Sequence, residues 1–201
     1  MITHLFFDVG GVLGSSGWGT EPRARAVARF GLDAADFDRR HREVVGPWEA
    51  GRLSLEEYLD CTVFDAPRAF TRDEFTAFIR EQSRPYAATI EIARALGATG
   101  RFRLTTLNNE SAELNAYRLR LFGLAPIFGA FFSSCWLGVA KPSRRIYELA
   151  LAMAQAEPAQ SVFIDDREQN LAPARALGMN VLRFTDADRL RHDLADLRVT
   201  P

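Results

Sequence analysis

Three short strand patterns, each stopping at a carboxylate or carboxamide, limit what this chain can fold into more than any other feature. Leu5-Phe6-Phe7 stops at Asp8, residues 102–107 run into Asn108-Asn109, and Val162-Phe163-Ile164 stops at Asp165-Asp166. Runs this short, rich in aromatic and β-branched residues, read as buried strands. From Pro85 onward they alternate with helical patterns over 89–96, 111–121, 142–154 and 168–177, and two further strand patterns lie at 128–133 and 180–184. Strands separated by helix-length segments pair in parallel, with helices packed on both faces. The predicted fold class is therefore α/β, a doubly wound parallel sheet.

Between the first strand and the rest lies a block of a different kind. Residues 21–83 carry four helical patterns and no strand signal. Pro22 suits a first turn, Gly31 a stop, and Pro47 is expected to end or kink the second helix. Ser54-Leu55-Glu56-Glu57 and Thr71-Arg72-Asp73-Glu74 both fit the capping box. The expected organisation is a core domain of residues 1–14 and 85–201, with an α-helical domain, 15–84, inserted after strand one.

Composition removes several classes of function. Twenty-six acidic residues against 25 basic ones leave a net charge of −1, which argues against nucleic acid or an anionic membrane as partner. Cys61 and Cys135 form no ligand-spaced pattern, so neither a zinc site nor a disulfide framework is expected. No stretch approaches the ~20 apolar residues of a membrane span, and Met1–His4 lacks a basic leader region. The expectation is a cytoplasmic protein.

In an open α/β sheet, ligands bind beyond the carboxyl ends of the strands. Asp8, Asn108-Asn109 and Asp165-Asp166 all fall there, and Lys141 lies ahead of Pro142 on a connecting loop. Taken singly, each has a plain reading as a turn, capping or solvated residue. Together, three carboxylates at one sheet edge repel one another, and a divalent cation with a nearby ammonium relieves the repulsion. Oxygen-only ligands favour Mg²⁺. Such a site suits a dianionic phosphoryl group.

These residues resemble the four motifs of the haloacid dehalogenase superfamily. Asp8-Val9-Gly10-Gly11-Val12 resembles its first motif, Leu107-Asn108-Asn109 its second, Lys141-Pro142 its third, and Ile164-Asp165-Asp166 with Asn170 its fourth. The helical block is similar to the superfamily's C1-type cap. Several phrases look closest to the branch of α-D-glucose-1-phosphate phosphatase and the N-terminal phosphatase domain of epoxide hydrolases. The resemblance implies a Mg²⁺-dependent phosphatase of a small phosphorylated metabolite, sugar phosphates included, working through an aspartyl-phosphate. It makes Asp8 the nucleophile and Lys141 its partner. Val9, Gly10, Asn108, Asn109 and Lys141 would be phosphate-binding, and Asp8, the Gly10 carbonyl, Asp166 and Asp165 would serve the metal, Asp165 directly or through water.

One departure matters. Most phosphatases of the family carry Asp two residues after the nucleophile, as general acid and base, and here that residue is Gly10. Three accounts stand. A cap residue, His41 or Glu49, supplies the proton; or the substrate has a good leaving group; or the protein binds a phospho-ligand with little or no turnover. His41 also reads plainly as part of a solvated charged helix face, Trp48 as a residue that either lines the pocket or packs the core or cap, and Tyr147 as a helix-packing residue. A metal-free 2-haloacid dehalogenase is a further reading, opposed by the retained Asp165-Asp166 pair. Finally, 24 of the 25 basic residues are arginine, and the one lysine is Lys141. A compact ammonium and a planar guanidinium are not interchangeable in a tight phosphate site.

Overall fold

The computed structural model describes residues 1–201. Five parallel strands, β1 (His4–Phe7), β2 (Arg103–Asn108), β3 (Ala130–Ser133), β4 (Ser161–Asp165) and β5 (Asn180–Arg183), lie in the order β3-β2-β1-β4-β5. The order reverses at β1. The chain works outward to β3 on one side, then crosses to β4 on the other. A crevice opens at such a reversal, past the strand ends, and Asp8 follows β1 there.

Side-chain alternation along the strands builds two apolar layers. Leu5, Phe7, Val162 and Ile164 face a cluster with α5 (Ala87–Ala98) and α10 (Ala187–Asp196). Phe6, Leu107 and Phe163 face the opposite cluster, with α8 (Arg144–Ala154) and α9 (Glu168–Ala176). α6 (Ala112–Leu121) follows β2, and α7 is the single turn Ser134–Leu137. The fold is the doubly wound α/β sheet expected.

The inserted segment forms α1 (Thr20–Phe30), α2 (Ala34–Glu49), α3 (Leu55–Thr62) and α4 (Arg72–Glu81). It has an apolar cluster of its own, built on Trp18, Phe37, Trp48, Tyr58, Phe75 and Ile79, to which the sheet-bearing part contributes only Leu114. Both capping boxes form, at Ser54 with Glu57 and at Thr71 with Glu74. The chain leaves and returns side by side: Ser15 N–H donates to the Arg84 carbonyl at 2.8 Å and Tyr86 N–H to the Leu13 carbonyl at 2.9 Å.

Three details differ from the sequence reading. α2 runs through Pro47 to Glu49 rather than stopping. Proline there deprives only the Glu43 carbonyl of a donor, and that residue is exposed. α8 starts at Arg144, two residues past Pro142. α10 buries only Leu190 and Leu194, a sparse repeat in a charged stretch, and only the sheet surface beneath reveals its inner face. Both cysteines are free, and no helix is long and apolar enough to cross a membrane.

Candidate active site

The end of β1 brings Asp8 beside the end of β4. Lys141 reaches between them from the loop after α7, and its Nζ lies 3.0 Å from Asp8 Oδ1 and 2.6 Å from Asp165 Oδ2. All three residues are buried. Burial alone would lower the Lys141 pKa, but the two carboxylates override it and hold the ammonium above its usual range. Asp165 is saturated: its oxygens also accept from Arg167 N–H at 2.8 Å and from Asn170 Nδ2 at 3.0 and 3.1 Å. Asp8 Oδ1 accepts from Val9 N–H at 2.8 Å as well as from Lys141, and Oδ2 has no protein partner. Burial pushes the Asp8 carboxyl up to about 7 against the pull of Lys141.

Asp8, Asp165 and Asp166 each place an oxygen within 4.8 Å of the others. Asp166 Oδ1 is buried with no donor to satisfy it. Burial first, and the neighbouring Asp165 second, hold the Asp166 carboxyl above its usual range. Gly11 makes room for this carboxylate, since a Cβ there would stand 2.5 Å from Asp166 Oδ2 at a φ of +90°. An orphaned carboxylate oxygen within an all-oxygen cluster fits a hard divalent cation such as Mg²⁺.

The other site positions take varied surroundings. Gly10 keeps both its N–H and its carbonyl free of protein partners. Val9 spends its N–H on Asp8. Asn108 belongs to a closed ring: its amide donates to Asn115 at 3.0 Å, Asn115 to Ser133 Oγ at 2.8 Å, and Ser133 back to Asn108 at 2.9 Å. Asn109 clamps the backbone of Lys141, donating to its carbonyl at 2.9 Å and accepting from its N–H at 2.8 Å. Tyr147 donates to the Asn170 carbonyl at 2.7 Å from within the core, in keeping with a packing role.

Above these residues lies a cavity of about 250 Å³, bordered by Asp8, Gly10, Lys141 and Arg167 below and by Arg23, His41, Trp48 and Glu49 of the insertion above. Contacts with the turn α7 help seat the insertion there. Ser134 Oγ donates to the Glu49 carbonyl at 2.6 Å, and Gly51 comes so close that a Cβ would stand 2.1 Å from the Cys135 carbonyl oxygen. The Glu49 carboxyl is raised to about 7 by burial and by Glu110, against Arg167, Lys141 and Arg23. His41 is buried, which corrects the reading of a solvated helix face. Its Nδ1 lies 2.9 Å from Tyr58 Oη, and burial together with Arg23 lowers its pKa to about 4, so the ring is neutral.

Sequence reasoning missed Arg118, Glu110 and Arg23. Arg118 is buried on α6 and pairs with Glu110 at 2.8 Å while also donating to the Ser15 carbonyl. A Cβ at Gly10 would stand 3.7 Å from its Nη1, so a guanidinium occupies the space opposite the residue that lacks a side chain. The signal available was faint: Leu114, Asn115 and Arg118 share the buried face of α6, which a polar–apolar reading scores as mixed. Arg23 carries no such signal in a chain with 24 arginines.

The family model of haloacid dehalogenase-like hydrolases matches residues 2–178. Among curated relatives, the chain is 36% identical over 86 residues to bifunctional epoxide hydrolase 2 of Sus scrofa, covering 43% of this chain and 16% of that one. It is 40% identical over 68 residues to flavin mononucleotide hydrolase 1, chloroplatic, of Arabidopsis thaliana, covering 34% and 28%. The matched segments thus span less than a third of either relative. Among solved structures, an HAD family enzyme from Bacteroides thetaiotaomicron in complex with magnesium and inorganic phosphate superposes with a TM-score of 0.76 at 18% identity, covering 94% of this chain and 99% of that one. At that identity the likeness concerns the fold.

Proposed function

This chain belongs to the haloacid dehalogenase-like hydrolases, and from its site we propose that it is a Mg²⁺-dependent phosphatase of a small phosphorylated metabolite, acting through an aspartyl-phosphate on Asp8. The observation that carries this reading is the pairing of Asp8 with Lys141 at 3.0 Å beside the orphaned oxygen of Asp166. Mg²⁺ would be held by Asp8, Asp166 and the Gly10 carbonyl, and when bound it supplies positive charge to the phosphoryl oxygens. Asp165, whose lone pairs are already engaged, serves mainly as the counter-ion of Lys141. The magnesium- and phosphate-bound Bacteroides enzyme of the same fold supports the choice of metal and ligand.

The steps follow from the residues. Asp8 Oδ1 is held by Val9 N–H and Lys141, so Oδ2 faces the cavity and attacks phosphorus. The Asp8–phosphorus bond forms as the ester bond breaks, and the leaving oxygen takes a proton from Glu49. Lys141 Nζ and the free N–H of Gly10 hold the phosphoryl oxygens. Water then attacks the aspartyl-phosphate, its proton passes to Glu49, and inorganic phosphate leaves with Asp8 restored. The insertion acts as a cap in this scheme, because it carries Glu49 over the nucleophile. A carboxyl held near pH 7 is suited to both proton transfers. The mostly polar cavity lining suits a sugar phosphate or a ligand of similar size and polarity.

A panel of phosphorylated metabolites with Mg²⁺, including acetyl phosphate, tests the reading. Phosphate release that stops with EDTA and falls at least ~10³-fold in Asp8→Asn is the expected result. Release from no substrate, or an Asp8→Asn protein of unchanged activity, would overturn it. Binding without turnover would instead favour a silent phospho-ligand protein, the reading that Gly10 supports. Halide release from 2-chloropropionate in EDTA would favour the dehalogenase.

A further inference from the structure

The insertion residues that border the cavity carry N–H donors that have no acceptor in the protein. Trp48 is 2% exposed, stacks on Tyr58 at 3.9 Å, and leaves Nε1–H unpartnered. Arg23 donates from Nη1 to the Trp18 carbonyl at 2.8 Å, forms no ion pair, and leaves its buried Nε–H unpartnered. His41 adds a third donor. Tyr58 Oη already accepts the Trp18 indole N–H at 2.8 Å, so its own proton is satisfied only by His41 Nδ1. The neutral imidazole therefore carries its proton on Nε2, for which the protein offers no acceptor. Helix α1 starts at the same place: Gly19 and Thr20 border the cavity, and no side chain caps that helix.

Buried donors are nearly always paired in a folded protein, with ligand where protein and water do not serve. Here two of them, one on a cation that lacks a carboxylate partner, join the His41 Nε2–H and an uncapped helix N-terminus among the residues bordering one cavity. That combination selects an anion. These residues belong to the insertion, whereas Lys141 and Asp8, which take the phosphoryl group in the proposed function, belong to the sheet-bearing part, so the anion is a second group on the same molecule. Resting on that function, we infer that the substrate is a phosphate ester bearing a second anionic group, carboxylate or phosphate, held by Arg23, His41 and Trp48. The carboxylates nearby do not oppose it. Glu110 is tied to Arg118 at 2.8 Å, and Glu49 holds its proton up to about pH 7.

The test compares matched substrates. ω-Carboxyalkyl phosphates and alkanediol bisphosphates of two to four carbons are assayed beside hydroxyalkyl phosphates of equal length. One or the other anionic series is expected to exceed the neutral one by at least about tenfold in kcat/KM, and which one does so identifies the second group. The ratio should fall to within about twofold in Arg23→Gln, recover in part in Arg23→Lys, and drop in Trp48→Phe, which keeps the ring and loses the N–H. Equal rates for anionic and neutral substrates, or a ratio unmoved by Arg23→Gln in protein that melts like the parent, would overturn the inference while leaving the phosphatase reading intact. Should no ester be hydrolysed, calorimetry of carboxyalkylphosphonates and bisphosphonates against alkylphosphonates decides it. At least about tenfold tighter binding of an anionic series, lost in Arg23→Gln, supports the second-anion wall, and equal affinities overturn it.

Discussion

The two walls of the cavity treat their polar groups in opposite ways. On the sheet side, three donors make four contacts with the two oxygens of Asp165, Lys141 bridges two carboxylates, and Asn109 locks the Lys141 backbone, while only Asp8 Oδ2, Asp166 Oδ1 and the Gly10 peptide groups stay open. On the insertion side, the donors of Arg23 and Trp48 are buried and unmatched. Leaving a buried donor unpaired costs roughly 1–3 kcal/mol, which a helical unit with its own aromatic core can bear. The contrast separates two tasks. In the proposed function, the saturated network around Lys141 and Asp165 fixes the reacting groups in one geometry, and the insertion's unsaturated wall is completed by whatever enters.

The largest effect is expected where the saturated wall is broken. Lys141→Arg would place a broad guanidinium where an ammonium sits 2.6 and 3.0 Å from two buried carboxylates and 5.3 Å from the Phe163 ring. Charge survives but the fit does not. We expect kcat/KM to fall by roughly 10²-fold or more, measured on the best substrate of the panel, with far-ultraviolet circular dichroism unchanged. Full activity would show that the single lysine of an arginine-rich chain is an accident of composition.

Glu49→Gln probes the point where the insertion hands a group to the sheet side. The parent should lose kcat/KM as pH rises through about 7, because the acid must carry its proton, and the variant should lack that limb. A drop of about 10²-fold at pH 6.5 accompanies it. Stability moves the other way. The folded pKa of about 7 lies above the ordinary 4.5, so the folded state binds the proton more tightly than the unfolded one. That contribution is present below pH 4.5 and is lost as pH rises to 7. Glu49→Gln should therefore be the more stable protein at pH 8, by up to about 3 kcal/mol, read from urea midpoints. An unchanged alkaline limb would remove Glu49 from the proton transfers.

The walls also differ in how far the sequence reveals them. Asp8, Asn108 and Asp165 stand at strand ends, and strand ends show up where an apolar run stops. Glu49 and His41 were legible only as candidates, because a helical repeat shows which residues share a face and says nothing about which molecule that face meets. His41 sits among charged neighbours, Arg40 and Arg42, and its burial follows from Tyr58, seventeen residues away. Arg118 was hidden for a related reason. Its guanidinium is buried through a contact with the Ser15 carbonyl, and no local pattern encodes a partner 103 residues distant.

Gly51→Ala tests whether the open wall depends on being seated. Its φ of +69° strains any side chain, and the new methyl would meet the Cys135 carbonyl. Backbone does not give way cheaply, so the turn after α2 should lift. A loss of about 1–3 kcal/mol in stability is expected, with KM rising several-fold more than kcat falls, since Glu49 and Trp48 move away from the sheet side together.

The smallest effect is expected from restoring the residue that most of the family carries. A Cβ at Gly10 has ordinary room, 3.6 Å from Ser16 and 3.7 Å from Arg118 Nη1, so Gly10→Asp should fold as the parent does. Its carboxylate, however, would meet a guanidinium that already faces that space, and a carboxylate beside a buried arginine is held in its charged form. It would accept hydrogen bonds rather than protonate a leaving group. We expect kcat within about threefold of the parent, and no rescue when Gly10→Asp is combined with Glu49→Gln. A large gain in the single variant would mean that the proton comes from the sheet side after all and that Arg118 yields to it. The division between a reacting wall and a receiving wall would then have to be drawn through Gly10 instead of through Glu49.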